Sequence, residues 1–411
     1  MDKLVFNRAQ TLNRDFGRNH RMRIKSKLTA AALGGVLLLT GCSMNNVSYA
    51  YEKDGERMPA GVYITGMIAA YGEAWQQAKT DDLRYPEKKD VLAVQMDGQT
   101  GEAWISARTR ALALQYYGVE KGAADRGIAL TEEERSALLS TTAGIWSGEM
   151  ANQIYQSVMY FGIEPGAQQF LWLHSGEQFL ENGIVQSSLE SYLQNQELRG
   201  KLFLALYDTD GETPVPESEI KDRFVADYAK AGMMSFYKAS TVDETVGESR
   251  TQEDIEADKL AAREKDAKVK EDAERFLERL KSGEAIEDLQ HDYNVQNKAE
   301  DAADPEKPAE GSLNITVELN STDPMFRDMA AMISSVPVGE AGLQEDEYGY
   351  YLIKRLDPKD DEASYQSNRF TVLQKLKNDD YEAQLEAWGA EAAPVVNTAA
   401  LNKYTPKKLE L

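Results

Sequence analysis

Apolar residues along this chain recur mostly at helical spacing. After Pro59, Tyr63, Met67, Ala70, Tyr71, Ala74 and Trp75 fall on one stripe, which predicts an amphipathic helix with that stripe on a core. Trp104–Tyr117, Trp146–Phe161, Gln168–Phe179 and Val185–Tyr207 carry the same period. Thr131, with Glu134 three residues on, predicts a capping box ahead of Leu138 and Leu139. Asp210-Gly211 and Pro214-Val215-Pro216 punctuate the chain, and Ile220, Phe224 and Tyr228, at i, i+4 and i+8, predict one more helix. The span 59–232 is therefore expected to be a helical domain.

The pattern changes near Met233. Met233–Thr241 has strand-like content, and the charged insertion 244–271 that follows reads either as a solvated helix or as a mobile linker. Helical period returns at Phe276, Leu277, Leu280, Ile286 and Leu289, followed by an acidic loop, Ala299–Pro308. Leu313, Ile315, Val317 and Leu319 alternate with polar residues, as a half-buried strand does. Met325–Ile333 predicts a short helix, Gly339-Glu340 a turn, Tyr350–Leu356 a strand and Ser364–Ala393 a last helix. The expected fold class is α+β. A mostly helical domain is joined to a smaller one, 233–357, in which 233–240, 313–319 and 350–356 form an antiparallel sheet carrying two helices. Residues 358–411 are expected to return to the helical domain.

The N-terminus departs from both periods. Arg18, Arg21, Arg23, Lys25 and Lys27 precede an apolar run, Leu28–Leu39, and then Leu39-Thr40-Gly41-Cys42. This is the order of an export signal, and the run is well short of the roughly 20 residues a permanent span needs. Those four residues resemble the lipobox of bacterial lipoproteins. The resemblance implies a signal peptide over 1–41, cleavage after Gly41, a diacylglycerol thioether on Cys42 and a location on the extracytoplasmic face of the cell membrane. The polar stretch within 42–58 reads as a tether. Met22 would open a signal of conventional length, so residues 1–21 are read as a possible over-extended start.

Composition narrows the chemistry. Cys42 is the only cysteine, so neither an intramolecular disulfide nor a cysteine-rich zinc site can form. The formal charge is −23, and −29 without residues 1–41, which argues against nucleic acid as a partner and against a surface held to anionic lipid by charge. Beyond residue 41 the histidines are His174, read as packed or partly exposed among apolar neighbours and not catalytic, and His291, read as surface. Asp208–Glu212 is expected to be a turn and not a calcium loop, because its glycine is misplaced. No nucleotide loop, hydrolase elbow or paired metal-binding histidine motif occurs. No cofactor or metal is expected.

One further resemblance bears on function. Ala273–Gly283 resembles the first helix of parvulin-type peptidyl-prolyl isomerases, with Ile286 and Leu289 at the next apolar positions. Gly311-Ser312-Leu313 sits where that family has a Gly-Asp-Leu turn, Val338-Gly339-Glu340 resembles the Gly-Glu before its last strand, and Gly349–Lys354 resembles that strand. A helical segment before such a domain, and the tail Asn397–Tyr404 after it, is similar to extracytoplasmic foldases of the PrsA/SurA type. The family's polar catalytic positions are all changed. Ser235 or Phe236 stands for the first-strand histidine, Ser312 for the acidic residue and Tyr351 for the last-strand histidine. The apolar slot is closer to the pattern, with Met325 and Met329 in place and Phe326 nearby; adaptable methionine suits varied side chains, although such a stripe equally fits a helix core. The resemblance implies a chaperone-like binder of unfolded or nascent exported proteins, with isomerase activity weak or lost. The peptide would contact Met325, Phe326, Met329, Tyr351 and Ser312. Two alternatives stand beside it: an active isomerase using Ser312 and Tyr351 as donors, and a structural or solute-binding lipoprotein.

Overall fold

The computed structural model describes residues 47–80, 85–161, 166–239, 242, 251–297, 312–321 and 324–411. The fold is α+β: helices predominate, with small antiparallel sheets among them. Gly41 and Cys42 lie outside the described residues. The chain divides into two compact units, one ending at Val215 and resuming as Leu373–Leu411, the other Pro216–Val372.

The first unit opens on a hairpin of β1 (Tyr49–Lys53) and β2 (Glu56–Pro59). Asp54 and Gly55 both have positive φ, 53° and 86°, as a tight two-residue hairpin turn requires. The expected tether is therefore corrected from Tyr49 onward. Ala50, Tyr51 and Met58 are buried, and the strands are part of the folded body. Helix α1 (Ala60–Ala78) follows directly, with 15 of its 19 residues buried. A single stripe was expected; the helix is instead enclosed on nearly every side, because small residues such as Gly61, Ala70 and Ala74 occupy its other faces. After α2 (Lys88–Ala93), a second Asp-Gly turn, Asp97-Gly98, joins β3 (Gln95–Met96) to β4 (Gln99–Thr100).

Helix α3 (Gly101–Asp125) is capped by the Thr100 hydroxyl. The box at the start of α4 (Glu132–Trp146) is formed in both directions. Glu134 N–H donates to Thr131 Oγ1 at 3.2 Å, and Thr131 N–H donates to Glu134 Oε2 at 2.7 Å. Trp146 ends that helix, and α5 (Glu149–Phe161) starts beyond Gly148 in the left-handed region. The helix expected over Gln168–Phe179 is broken into α6 (Ala167–Phe170), a single tight turn at Leu171–Leu173, and α7 (Gly176–Glu181). Helix α8 (Gln186–Tyr207) then packs on α1 and α3.

The second unit begins at Pro216, not at Met233. Helix α9 (Glu217–Asp227) leads straight into β5 (Tyr228–Tyr237), so a boundary at 233 would cut a strand. Tyr228, expected to extend the helix, opens that strand and pairs with Glu318. The charged insertion is helical from Gln252. It belongs to α10 (Gln252–Lys281), 30 residues long and boxed at its start by Thr251 and Asp254, and α11 (Ile286–Gln296) follows. Strand β6 (Ser312–Glu318), helix α12 (Pro324–Ser334), and strands β7 (Ala341–Glu345) and β8 (Gly349–Leu356) complete an antiparallel sheet of order β6-β5-β8-β7. Successive side chains of β5 serve opposite faces. Ala229, Ala231 and Met233 join the core under α12, while Met234 and Phe236 join Phe276, Leu280 and Leu289 of α10 and α11.

The chain re-enters the first unit within α13 (Glu362–Glu391), whose residues from Leu373 belong there. Strand β9 (Val395–Val396) pairs with β1, and α14 (Thr398–Lys403) follows. Arg108 binds both Glu73 of α1 (3.1 Å) and Glu382 of α13 (2.7 Å), and Glu382 also receives Arg199 of α8 (3.0 Å). Among the described residues, no helix is long and apolar enough to cross a membrane, and no cluster of histidine, cysteine and acidic side chains could hold a metal ion.

Candidate functional site

The α12 face of the sheet gathers three of the five residues expected at a peptide slot. Ala330 and Ile333 hold the helix on the sheet, against Met233, Ile315 and Ile353. Phe326, Met329 and Tyr351 pack partly buried against that same core, and Met332 joins them. Ser312 begins β6 and Met325 lies in the first turn of α12; their side chains fall outside what is described.

Tyr351 stands opposite Ser235 on β5 and Gln344 on β7. Burial pushes its phenol well above the ordinary value, and the neighbouring Asp346 carboxylate pushes it the same way, so the hydroxyl keeps its proton. Asp346 is itself fixed by a tight turn. Its Oδ1 accepts from Tyr348 N–H (2.7 Å) and Gly349 N–H (2.9 Å), and its own N–H donates to Gly349 O (3.1 Å). Lys238 clamps the same turn, donating through Nζ to Glu345 (2.7 Å) and to Asp346 O (2.6 Å).

Two further tyrosines complete the rim. Tyr237, at the end of β5, is 66% exposed, and Tyr348, at the turn, is 65% exposed. Both lie near enough to Tyr351 to add to the rise of its phenol. Tyr237, Asp346 and Tyr348 escaped the sequence reading. Asp346-Glu347-Tyr348-Gly349 carries turn residues that could have marked the turn, but the closeness of Tyr237 is set by strand register alone.

The arrangement offers aromatic faces for apolar side chains and proline rings beside a half-covered apolar helix. It is poor in groups for twisting an amide, which needs donors or acceptors free to meet the developing charge. Tyr351 keeps its proton beside the Asp346 carboxylate. No described imidazole reaches this face. His291 is on α11, which packs on the opposite face of the sheet. His174 belongs to the first unit, buried between Phe170 and Phe179 with Nδ1 3.0 Å from Phe170 O, and burial lowers its pKa so that it stays neutral. It is a core residue.

No family model and no curated protein sequence matches this chain. Among solved structures it is similar to PrsA from Bacillus subtilis, at 15% identity and a TM-score of 0.25 over 74% of this chain and 91% of that one. It is also similar to the foldase protein PrsA from Streptococcus pneumoniae, at 13% identity and a TM-score of 0.29 over 73% and 92%. Likeness at this level carries no residue role across to the present chain.

Proposed function

We propose that this protein is a lipid-anchored, extracytoplasmic, chaperone-like binder of unfolded exported polypeptides, with prolyl isomerase activity weak or lost. The observation that carries the binding role is the tyrosine rim. Tyr237 and Tyr348 present aromatic surface to solvent beside Tyr351, at the edge of a core that also holds Phe326 and Met329. Large rings left exposed next to a partly open apolar face favour capture of apolar segments. A Tyr351 phenol that keeps its proton, and the lack of a described imidazole there, favour binding over catalysis. The anchor rests on the lipobox resemblance at Cys42.

Purified protein mixed with an aggregating denatured client tests the reading. Light scattering should fall in proportion to added protein, and the exposed double variant Y237A/Y348A should need roughly fivefold more, or beyond, for equal protection. Undiminished scattering at stoichiometric excess of the unmodified chain would remove the proposal. An X–Pro tetrapeptide assay should return the uncatalysed rate, and a clear acceleration would restore the isomerase reading.

A further inference from the structure

A concave surface lies within the helical unit. It encloses about 270 Å³ between α3, the loop that follows it, and α8, with Ile128, Leu130 and Leu198 as apolar lining. Glu120 opens into it from α3, and Arg135 from the start of α4. One oxygen of Glu120 is held by the buried Asn195, whose Nδ2 donates at 3.0 Å and is itself fixed at 3.1 Å by Tyr116 O. Among the described residues, none donates to its other oxygen, and Glu120 is in no ion pair. Solvent reaches this carboxylate, yet the walls around it are close enough that burial raises its pKa, and neighbouring Glu56 raises it further. Arg135 does not relieve it: its Nε turns to Leu130 O at 3.4 Å, a long and weak contact.

We propose that this concavity takes a lysine side chain from a bound polypeptide. The ammonium meets the open oxygen of Glu120, and the methylene stem lies along Ile128, Leu130 and Leu198, as lysine stems do on apolar surface. A carboxylate with one oxygen held by Asn195 and the other open to the concavity can take a charge-assisted hydrogen bond, which is about twice as strong as a neutral one. The guanidinium of Arg135 supplies donors for the carbonyls that flank a lysine in a chain, which a free amine lacks. The formal charge of −23 adds long-range attraction for basic segments.

This inference rests on the reading that the protein binds polypeptide, and it names a feature of the clients. The test is a calorimetric titration of the full chain with a blocked nonapeptide carrying one central lysine, beside its norleucine twin. The lysine peptide should bind about tenfold tighter or more, the size expected for one charged hydrogen bond. In E120Q the two peptides should bind alike. A second variant, Ser191→Lys, places an ammonium in the recess and should abolish the preference without touching Glu120. Equal binding of the twins by the unmodified chain, or a preference that survives in E120Q, overturns the proposal. Because the twins differ only at the ammonium, that failure is separate from failure to protect a denatured client, which Y237A/Y348A addresses.

Discussion

Asp361 shows how a single carboxylate is held in the second unit. Burial alone would raise its pKa, but hydrogen bonds from Ser364, Lys230 and Thr316 outweigh that and hold it at about 2. A folded pKa below the unfolded value of 3.8 stabilises the fold above the latter, and the benefit is lost as pH falls from there through about 2. Acid titration of unfolding should show about 2 kcal/mol draining away across that window, and D361N should flatten it. Arg355 is the opposite case. It is only 8% exposed, and its Nε and Nη1 have no hydrogen-bond partner among the described residues. By alternation along β8 it shares the α12 face with Ile353, across from Ala231. A buried charge with no partner among the described residues is a cost, so R355M should stabilise the unit by about 1–4 kcal/mol in denaturant melts. No loss of stability is compatible with an unpaired guanidinium at that position. Neither environment is legible locally, since Lys230, Thr316 and Asp361 are remote in sequence and share a site only through the pairing of β5 with β6 and the turn that follows β8.

At the scale of elements, α3 and α13 pass close to one another at two glycines. A Cβ added at Gly118 would lie 2.0 Å from Leu385 O, and one at Gly389 would lie 2.0 Å from Leu114 O, so each helix needs a glycine where the other's backbone passes. G118A should therefore cost about 1–3 kcal/mol in thermal or denaturant unfolding, even though alanine is the better helix former. Gly200 in α8 has open space around it, and G200A should stabilise by up to about 1 kcal/mol. Equal effects of the two changes would mean that α3 and α13 are not packed this tightly. Element type was legible wherever chemistry was local: the Thr131–Glu134 box, the alternation in β6 and the helical period of α8 all appear. It failed where a short segment could serve two structures. Phe224 and Tyr228 share a helical spacing, yet Tyr228 joins the sheet because Glu318 pairs with it, and tertiary pairing outranks local period. The two Asp-Gly hairpins were readable from the turn residues and went unread because their strands are as short as two residues.

For the whole molecule, the proposed anchoring is expected to be separable from folding. Beyond residue 41 the acidic surface would repel anionic headgroups, so membrane attachment would depend on acyl chains at Cys42, each methylene contributing about 0.8 kcal/mol. C42S should shift the protein from the detergent-extracted membrane fraction to the soluble one while its thermal unfolding stays unchanged; retention in the membrane would refute lipid attachment there. The amino-acid order by itself determined the helix-rich α+β class, the strands β6 and β8 and the helix α12, because each depends on neighbours a few residues apart. Only the tertiary structure decided that the return to the first unit begins at Leu373 and is held through Glu382 with Arg108 and Arg199, and that Tyr237 and Tyr348 flank Tyr351. Those contacts join residues up to about 270 positions apart, and no period or motif records which distant side chains the packing of apolar faces will bring together.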